Sequence, residues 1–158
     1  MDRYVRMVEE WAQEADIFAF DCFVVTIKTN GRWYGNISDQ FRKRYPSIAF
    51  PDVVYGTSKG PFPLPDGRAV IFSCLWSDEE KGLGYDPRVV TGCTGSAIRI
   101  AGAAGFDEVA LPLIGGGQKY RMKPYMGQGI EEGFKALKRQ KKDPDDLDVI
   151  VAILPKQK

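Results

Sequence analysis

Two short, mostly apolar runs mark the centre of the predicted sheet. Residues 69–76 read Ala-Val-Ile-Phe-Ser-Cys-Leu-Trp, and residues 109–114 read Val-Ala-Leu-Pro-Leu-Ile. Runs of this length are typical of strands that are buried on both faces. Proline cannot donate a hydrogen bond to a neighbouring strand, so the second run must leave the sheet at about Pro112.

Three segments carry apolar residues at helical spacing. A short basic helix is predicted over 37–45, with Asn36 or Ser38 as its cap. A longer one follows Asp86-Pro87, a capping residue and a first-turn proline, and ends at Gly105. A third is centred on 130–137 and has a lysine-rich far face.

The N-terminal segment allows two interpretations. Apolar residues recur at helical spacing from Tyr4 to Ala15, which favours an amphipathic helix. A strand through Val5, Met7, Glu9 and Trp11 is the alternative. Periodicity alone leaves both open.

Further strands are predicted at 23–29, 52–56 and 149–154, with a surface turn rich in proline and glycine at 60–67. From residue 23 onward, the order is strand, helix, strand, strand, helix, strand, helix, strand. This alternation predicts a three-layer α/β/α fold, with helices on both faces of a mixed, mostly parallel sheet. At this length, we expect residues 1–158 to form a single domain.

The composition of the chain disfavours several kinds of binding and catalytic site. The formal net charge is +1, which argues against nucleic-acid binding driven by bulk charge. The chain contains no histidine, so zinc hydrolases, serine triads and cysteine–histidine dyads are disfavoured, and we expect no metal site. Three cysteines, an odd number, suit the reducing cytoplasm. No segment has the pattern of a signal peptide or a membrane span, so no membrane partner is expected.

The triple glycine after the 109–114 strand is the most informative stretch. It opens a loop that reads Gly115, Gly116, Gly117, Gln118, Lys119, Tyr120, Arg121. Glycines there let the backbone approach a ligand, and their N–H groups can form a nest for an anion. The alternative is a loop that only requires positive φ angles. Two other phosphate motifs, the P-loop and the dinucleotide fingerprint, both fail at Tyr120.

A second candidate lies at the end of the 23–29 strand. Asn30-Gly31 is a turn dipeptide, and the alternative is that it serves only as a turn. Ligands of α/β folds bind at the carboxyl ends of central strands, where both this turn and the triple glycine fall. We therefore expect the two loops to face one cleft.

These motifs together resemble the macro domain, the ADP-ribose-binding module. Residues 109–117 are similar to the family's strand and loop of the form x-x-x-Pro-x-Ile-Gly-x-Gly, and they follow an alanine-rich helix as in the family. Ala-Asp-Ile-Phe at 15–18 is similar to the family's Gly-Asp-Ile-Phe junction. Residues 35–46 resemble its glycine-containing first loop and basic helix. The resemblance covers residues 15–154.

The resemblance implies binding of ADP-ribose, or of a macromolecule that carries it, without a cofactor. Asp16 would accept a hydrogen bond from the adenine amino group, with Ile17 near the base. Asn30 and Gly31 would hold the distal ribose. Backbone N–H groups of 115–120 would wrap the diphosphate, with Tyr120 closing over the ribose. The first loop would add Gly35 and Asn36 to the ligand-binding residues.

Two departures from the family affect the expected activity. Trp33-Tyr34-Gly35-Asn36 stands where the family has consecutive glycines, and the second loop lacks the carboxylate that hydrolases with a lysine nucleophile use. Binding is therefore favoured. One alternative is an ADP-ribosyl hydrolase in which Asn30, the one candidate catalytic residue, positions a water.

A further alternative is an RNA or protein interaction module. It would use Arg42, Lys43 and Arg44 together with the aromatic pair Trp33 and Tyr34, since such a set can neutralise phosphates and stack bases.

Overall fold

The computed structural model describes residues 5–8, 17–31, 35–77, 86–112, 123–140 and 148–152. Within these ranges the strands are β1 (Val5–Val8), β2 (Cys22–Lys28), β3 (Ser58–Pro63), β4 (Ala69–Trp76), β5 (Glu108–Leu111) and β6 (Asp148–Ala152). The helices are α1 (Gly35–Arg44), α2 (Pro87–Ala103) and α3 (Lys123–Arg139). The six strands form one sheet in the order β1-β6-β5-β2-β4-β3. Neighbouring strands are parallel except β3 and β4, which confirms the predicted mixed, mostly parallel sheet.

Alternate residues of each strand point to opposite faces of the sheet, and each face has its own core. Cys22 and Val24 of β2 belong to the core under α2 and α3. Their neighbours Phe23 and Val25 belong to the core under α1. Both cores consist of buried side chains, so the central strands are apolar over most of their length, as the apolar runs in the sequence predict.

The ends of α2 follow the predicted signals. Asp86 is the N-cap and its carboxylate accepts a hydrogen bond from the Arg88 N–H, while Pro87 occupies the first turn. The helix ends at Ala103, and Gly105 beyond it has φ 86°. That left-handed conformation is the usual reason for glycine after a helix.

The helical interpretation of the N-terminus is wrong for residues 5–8. They form β1, which pairs in parallel with β6, from Val5 opposite Val149 to Val8 opposite Ala152. The strand interpretation is the correct one for these residues. The local sequence is compatible with both a helix and a strand. Pairing with β6, more than 140 positions away in the chain, decides for the strand.

Three predicted local features are also wrong. Residues 52–56 form no strand, and the strand lies instead at β3, within the segment expected to be a turn. Its prolines are tolerated because β3 is an edge strand and its pairing with β4 shifts between Lys59 and Phe62. Asn36 and Ser38 are not caps, since α1 already begins at Gly35.

None of the described helices is long and apolar enough to cross a membrane.

Candidate functional site

A crevice is expected where β2 and β5 end side by side. These parallel strands are neighbours at the centre of the sheet, with Phe23 opposite Ala110. From β2 the chain continues to α1, β3 and β4 on one side, whereas from β5 it continues to α3 and β6 on the other. Such a divergence of chain direction opens a crevice at the carboxyl ends of the two strands.

The turn after β2 lies at this crevice. Asn30 has φ 63° and ψ 27°, and it is the sole residue other than glycine with a positive φ in the described ranges. Gly31 follows with φ 66°. Two consecutive residues in the left-handed region reverse the chain sharply and leave Asn30 exposed to solvent.

A segment that we call the strap, residues 48–57, reaches the same edge of the sheet on its way from α1 to β3. A Cβ atom on Gly31 would lie 2.5 Å from the Phe50 carbonyl oxygen and 3.2 Å from that of Pro51. At its other end, the Gly56 N–H donates to the Cys74 carbonyl, 2.9 Å away, near the end of β4. The strap therefore extends from the Asn30–Gly31 turn to the end of β4. No pattern in the sequence predicts this element, and part of it, residues 52–56, was expected to be a strand.

The amino-terminal ends of helices at this edge of the sheet favour the binding of an anion. Helices that follow parallel strands begin at the carboxyl edge of the sheet, which places the amino ends of α1, α2 and α3 there. None of their first turns contains an acidic residue. Asp86, the cap of α2, is held by Arg88 at 3.0 Å, and the bonds from Arg88 lower the pKa of its carboxyl. Among the described residues, the positive ends of these helices therefore lie at the same edge of the sheet as the crevice, and their first turns carry no acidic side chain.

The other groups with shifted pKa values are buried or hydrogen-bonded within the fold. The Tyr45 hydroxyl donates to Asp66 at 2.6 Å, and burial and this bond raise the pKa of Tyr45 to about 12. Burial raises the pKa of the Cys22 thiol to about 12 and that of Cys74 to about 11. Burial also raises the pKa of the Cys93 thiol. These groups support the fold, and no cluster of three or more potential metal ligands occurs among the described residues.

The predicted site residues fall into three groups. Asn30 and Gly31 lie at the crevice, at the end of β2. Gly35 and Asn36 form the start of α1, and Ile17 is fully buried in the core beneath that helix. Those outside the described residues are Asp16, Gly115, Gly116, Gly117, Gln118, Lys119 and Tyr120.

The basic residues 42–44 do not adjoin the start of α1. They occupy its last turn, about 13 Å along the helix axis from Gly35. Lys43 pairs with Asp39 at 3.3 Å, and the Arg44 guanidinium lies 4.8 Å from the centre of the Phe18 ring. Trp33 and Tyr34 directly precede α1 in the sequence. A nucleic-acid surface that included both these aromatic residues and the basic residues 42–44 would therefore have to extend along the whole length of α1.

Comparison with solved structures identifies the fold. The macrodomain of Mycobacterium tuberculosis DarG has a TM-score of 0.68 and 18% identity, and the match covers 96% of this chain and 99% of that one. For the Thermus aquaticus DarG macrodomain the TM-score is 0.64 and the identity 17%, with 94% and 97% covered. A Trypanosoma brucei macrodomain in complex with ADP-ribose has a TM-score of 0.63 and 15% identity, with 96% of this chain and 64% of that one covered. No protein-family model and no curated protein matches the sequence.

Proposed function

We propose that this chain, which has the macrodomain fold, binds ADP-ribose or a related ADP-ribosyl ligand in the crevice between β2 and β5. The divergence of the chain from these two strands is the observation that carries the proposal. It brings a left-handed Asn30-Gly31 turn and three amino-terminal helix ends to one edge of the sheet. A macrodomain of similar fold has been solved with ADP-ribose, which supports the choice of ligand.

The diphosphate is assigned to the loop that follows β5. Gly115, Gly116 and Gly117 would donate backbone N–H groups, and Lys119 would add a positive charge. Gln118 and Tyr120 would complete this side of the ligand. Support comes from β5 itself, which ends at Leu111, pairs with β2 and is followed in the sequence by this loop.

The two ends of the ligand are assigned to the other predicted residues. Asn30 and Gly31 would hold the distal ribose, and Gly35 and Asn36 would flank it from the start of α1. Asp16 would accept from the adenine amino group, with Ile17 supporting the base from the core. An ADP-ribosylated macromolecule would enter through the same contacts.

Binding is proposed rather than turnover. Among the described residues, two carboxyl groups have a lowered pKa: Asp66, bonded to Tyr45 and Arg68, and Asp86, bonded to Arg88. A lowered pKa makes a carboxylate a weak base, so neither suits proton abstraction from water. The buried, free cysteines agree with a reducing compartment, and we propose the cytoplasm as the site of action.

Calorimetric titration with ADP-ribose, ADP and AMP tests the proposal. The wild type should bind ADP-ribose, and Gly116→Glu should abolish binding because a carboxylate would enter the anion nest. Gly67→Glu is the matched control, since a Cβ at Gly67 meets no atom within 4 Å. Absence of ADP-ribose binding by the wild type would refute the proposal.

A turnover assay separates binding from hydrolysis. Incubation with an ADP-ribosylated protein or oligonucleotide should release no ADP-ribose. Release that disappears in Asn30→Ala would replace the binding proposal with the hydrolase.

A further inference from the structure

We infer that the strap positions Asn30, with Phe50 as its anchor, and thereby determines how well the site distinguishes ADP-ribose from ADP. The inference rests on the proposed function, in which Asn30 contacts the distal ribose. Phe50 itself touches no ligand in this account and acts through Gly31.

Asn30 needs external support. A residue with a side chain is disfavoured at φ 63°, although asparagine tolerates this region better than most residues. Asn30 is also exposed, so no core packing of its own holds the conformation. A left-handed residue persists where the surrounding structure requires it. Gly31, which is next in the chain, makes the contact that can supply this requirement.

Gly31 packs directly on the strap backbone. The position of its missing Cβ is 2.5 Å from the Phe50 carbonyl oxygen and 3.2 Å from the Phe50 carbonyl carbon. There is no room for a side chain, so the turn rests on the strap main chain without intervening atoms. A shift of the strap therefore transmits directly to Gly31 and then to Asn30.

The strap is held at both ends and in its middle. The Ile48 N–H donates to Tyr45 at one end, and at the other the Gly56 N–H donates to Cys74. Between them, the Phe50 ring lies 5.9 Å from the ring of Phe41 and 5.6 Å from that of Phe72. Both partners are essentially inaccessible to solvent, so Phe50 ties the strap to the core.

A comparison of the affinities for ADP-ribose and ADP distinguishes a displaced Asn30 from a general loss of stability or of the phosphate site. ADP has no distal ribose, so its affinity does not depend on Asn30 in the proposed site. A displaced Asn30 lowers the affinity for ADP-ribose alone. Loss of stability or of the phosphate site lowers both affinities together.

The first test is Phe50→Leu, with Phe62→Leu as its matched control. Both rings are half-buried and both contact Phe72, Phe50 at 5.6 Å and Phe62 at 5.8 Å. Of these two residues, Phe50 alone places its carbonyl group among the nearest neighbours of Gly31. Phe50→Leu should lower ADP-ribose affinity by about tenfold, as expected when one or two ligand hydrogen bonds are misplaced, and leave ADP affinity unchanged. Phe62→Leu should preserve the ratio of the two affinities.

A second pair tests the contact itself. Gly31→Ala adds a methyl group where the strap carbonyl lies, whereas Gly67→Ala adds one in open space, at φ 91°. Both carry the strain of alanine at positive φ. Gly31→Ala should lower the preference for ADP-ribose, and Gly67→Ala should not.

The outcomes are distinct. A wild type that binds neither ligand refutes the proposed function. A wild type that prefers ADP-ribose, with the same preference in Phe50→Leu and Gly31→Ala, keeps the proposed function and overturns the inference. Equal loss of affinity for both ligands in these variants also overturns it.

Discussion

The two faces of the sheet are packed in opposite ways. On one face α2 and α3 meet at glycines: a Cβ on Gly129 would lie 2.6 Å from the Thr91 carbonyl oxygen, and one on Gly133 would lie 2.7 Å from the Ile98 Cβ. On the other face α1 and the strap pack through rings: the centre of the Phe41 ring lies 5.0 to 6.2 Å from the ring centres of four aromatic residues, Phe23, Tyr45, Phe50 and Phe72. One face has no room for added atoms, and the other depends on large side chains.

The difference follows from what each face must cover. Two parallel helices share the first face, and they fit side by side because glycines let their backbones approach closely. On the second face, α1 and the strap cover the core, and aromatic rings fill the wider space between them. Elements of both faces reach the edge where β2 and β5 end, since α3 is the next helix after β5 and the strap packs against Gly31 after β2.

The largest effect is expected on the aromatic face. Phe41 is fully buried among aromatic rings, so Phe41→Ala should lower the free energy of unfolding by about 3–5 kcal/mol. Urea denaturation measures the loss. Phe41→Leu, which keeps most of the apolar volume, should lose clearly less. Similar losses in the two variants would show that volume is not what this face requires.

Alkaline pH should destabilise both faces. The thiol pKa values of Cys22 and Cys74 are raised to about 12 and about 11, so unfolding releases protons once the pH exceeds the ordinary thiol value. Their contribution is complete below about pH 8.5 and is lost at about 1.4 kcal/mol per pH unit for each thiol as the pH rises towards the folded value.

Denaturation of the reduced protein at pH 8, 9 and 10 measures this slope. Cys22→Ala removes a thiol from the glycine-packed face, and Cys74→Ala removes one from the aromatic face. Each substitution should reduce the pH dependence of the free energy of unfolding by the contribution of one thiol, about 1.4 kcal/mol per pH unit. An unchanged slope in both variants would contradict the buried, protonated state of these cysteines.

One substitution should have opposite signs at two positions of α3. Gly129→Ala places a methyl group 2.6 Å from a backbone oxygen and 2.8 Å from the Thr94 Cβ, whereas Gly127→Ala meets no atom within 4 Å. We expect Gly129→Ala to destabilise by about 1–2 kcal/mol after the helix-propensity gain of alanine is included. Gly127→Ala should stabilise by about 0.5–1 kcal/mol. Thermal unfolding of both variants measures the difference, and equal signs would contradict the close packing of α2 on α3.

Effects of about 1 kcal/mol and of opposite sign are expected from two threonines of α2. The Thr91 hydroxyl donates to the Tyr125 carbonyl at 3.2 Å, whereas the buried Thr94 hydroxyl has no hydrogen-bond partner in the described part of the chain. Thr94→Val should therefore stabilise by about 1 kcal/mol, and Thr91→Val should destabilise by a similar amount. Destabilisation by Thr94→Val would indicate that its hydroxyl has a partner.

Several elements could be predicted because their signals are local. The cap at Asp86, the proline after it and Gly105 set the ends of α2 through bonds and angles within a few residues. The apolar run 69–76 predicts β4 to the residue. At the site, Asn30-Gly31 adopts the positive φ angles that this dipeptide favours.

Other elements could not be predicted because distant partners decide them. Residues 5–8 become a strand through pairing with β6, and the prolines of β3 are acceptable only at the edge of the sheet. Phe50 and Pro51 are an unremarkable pair in the sequence, and their contact with Gly31 crosses about twenty residues of chain.

The sequence by itself thus determined the buried strands, the helix ends and the glycine and asparagine turns, since these depend on the period of apolar residues and on backbone preferences. Only the tertiary structure decided the strand order, the crevice between β2 and β5, and the support of Asn30 by the strap. The physical reason is that strand pairing and backbone contact join residues far apart in the chain, and no local pattern encodes which partner a surface will meet.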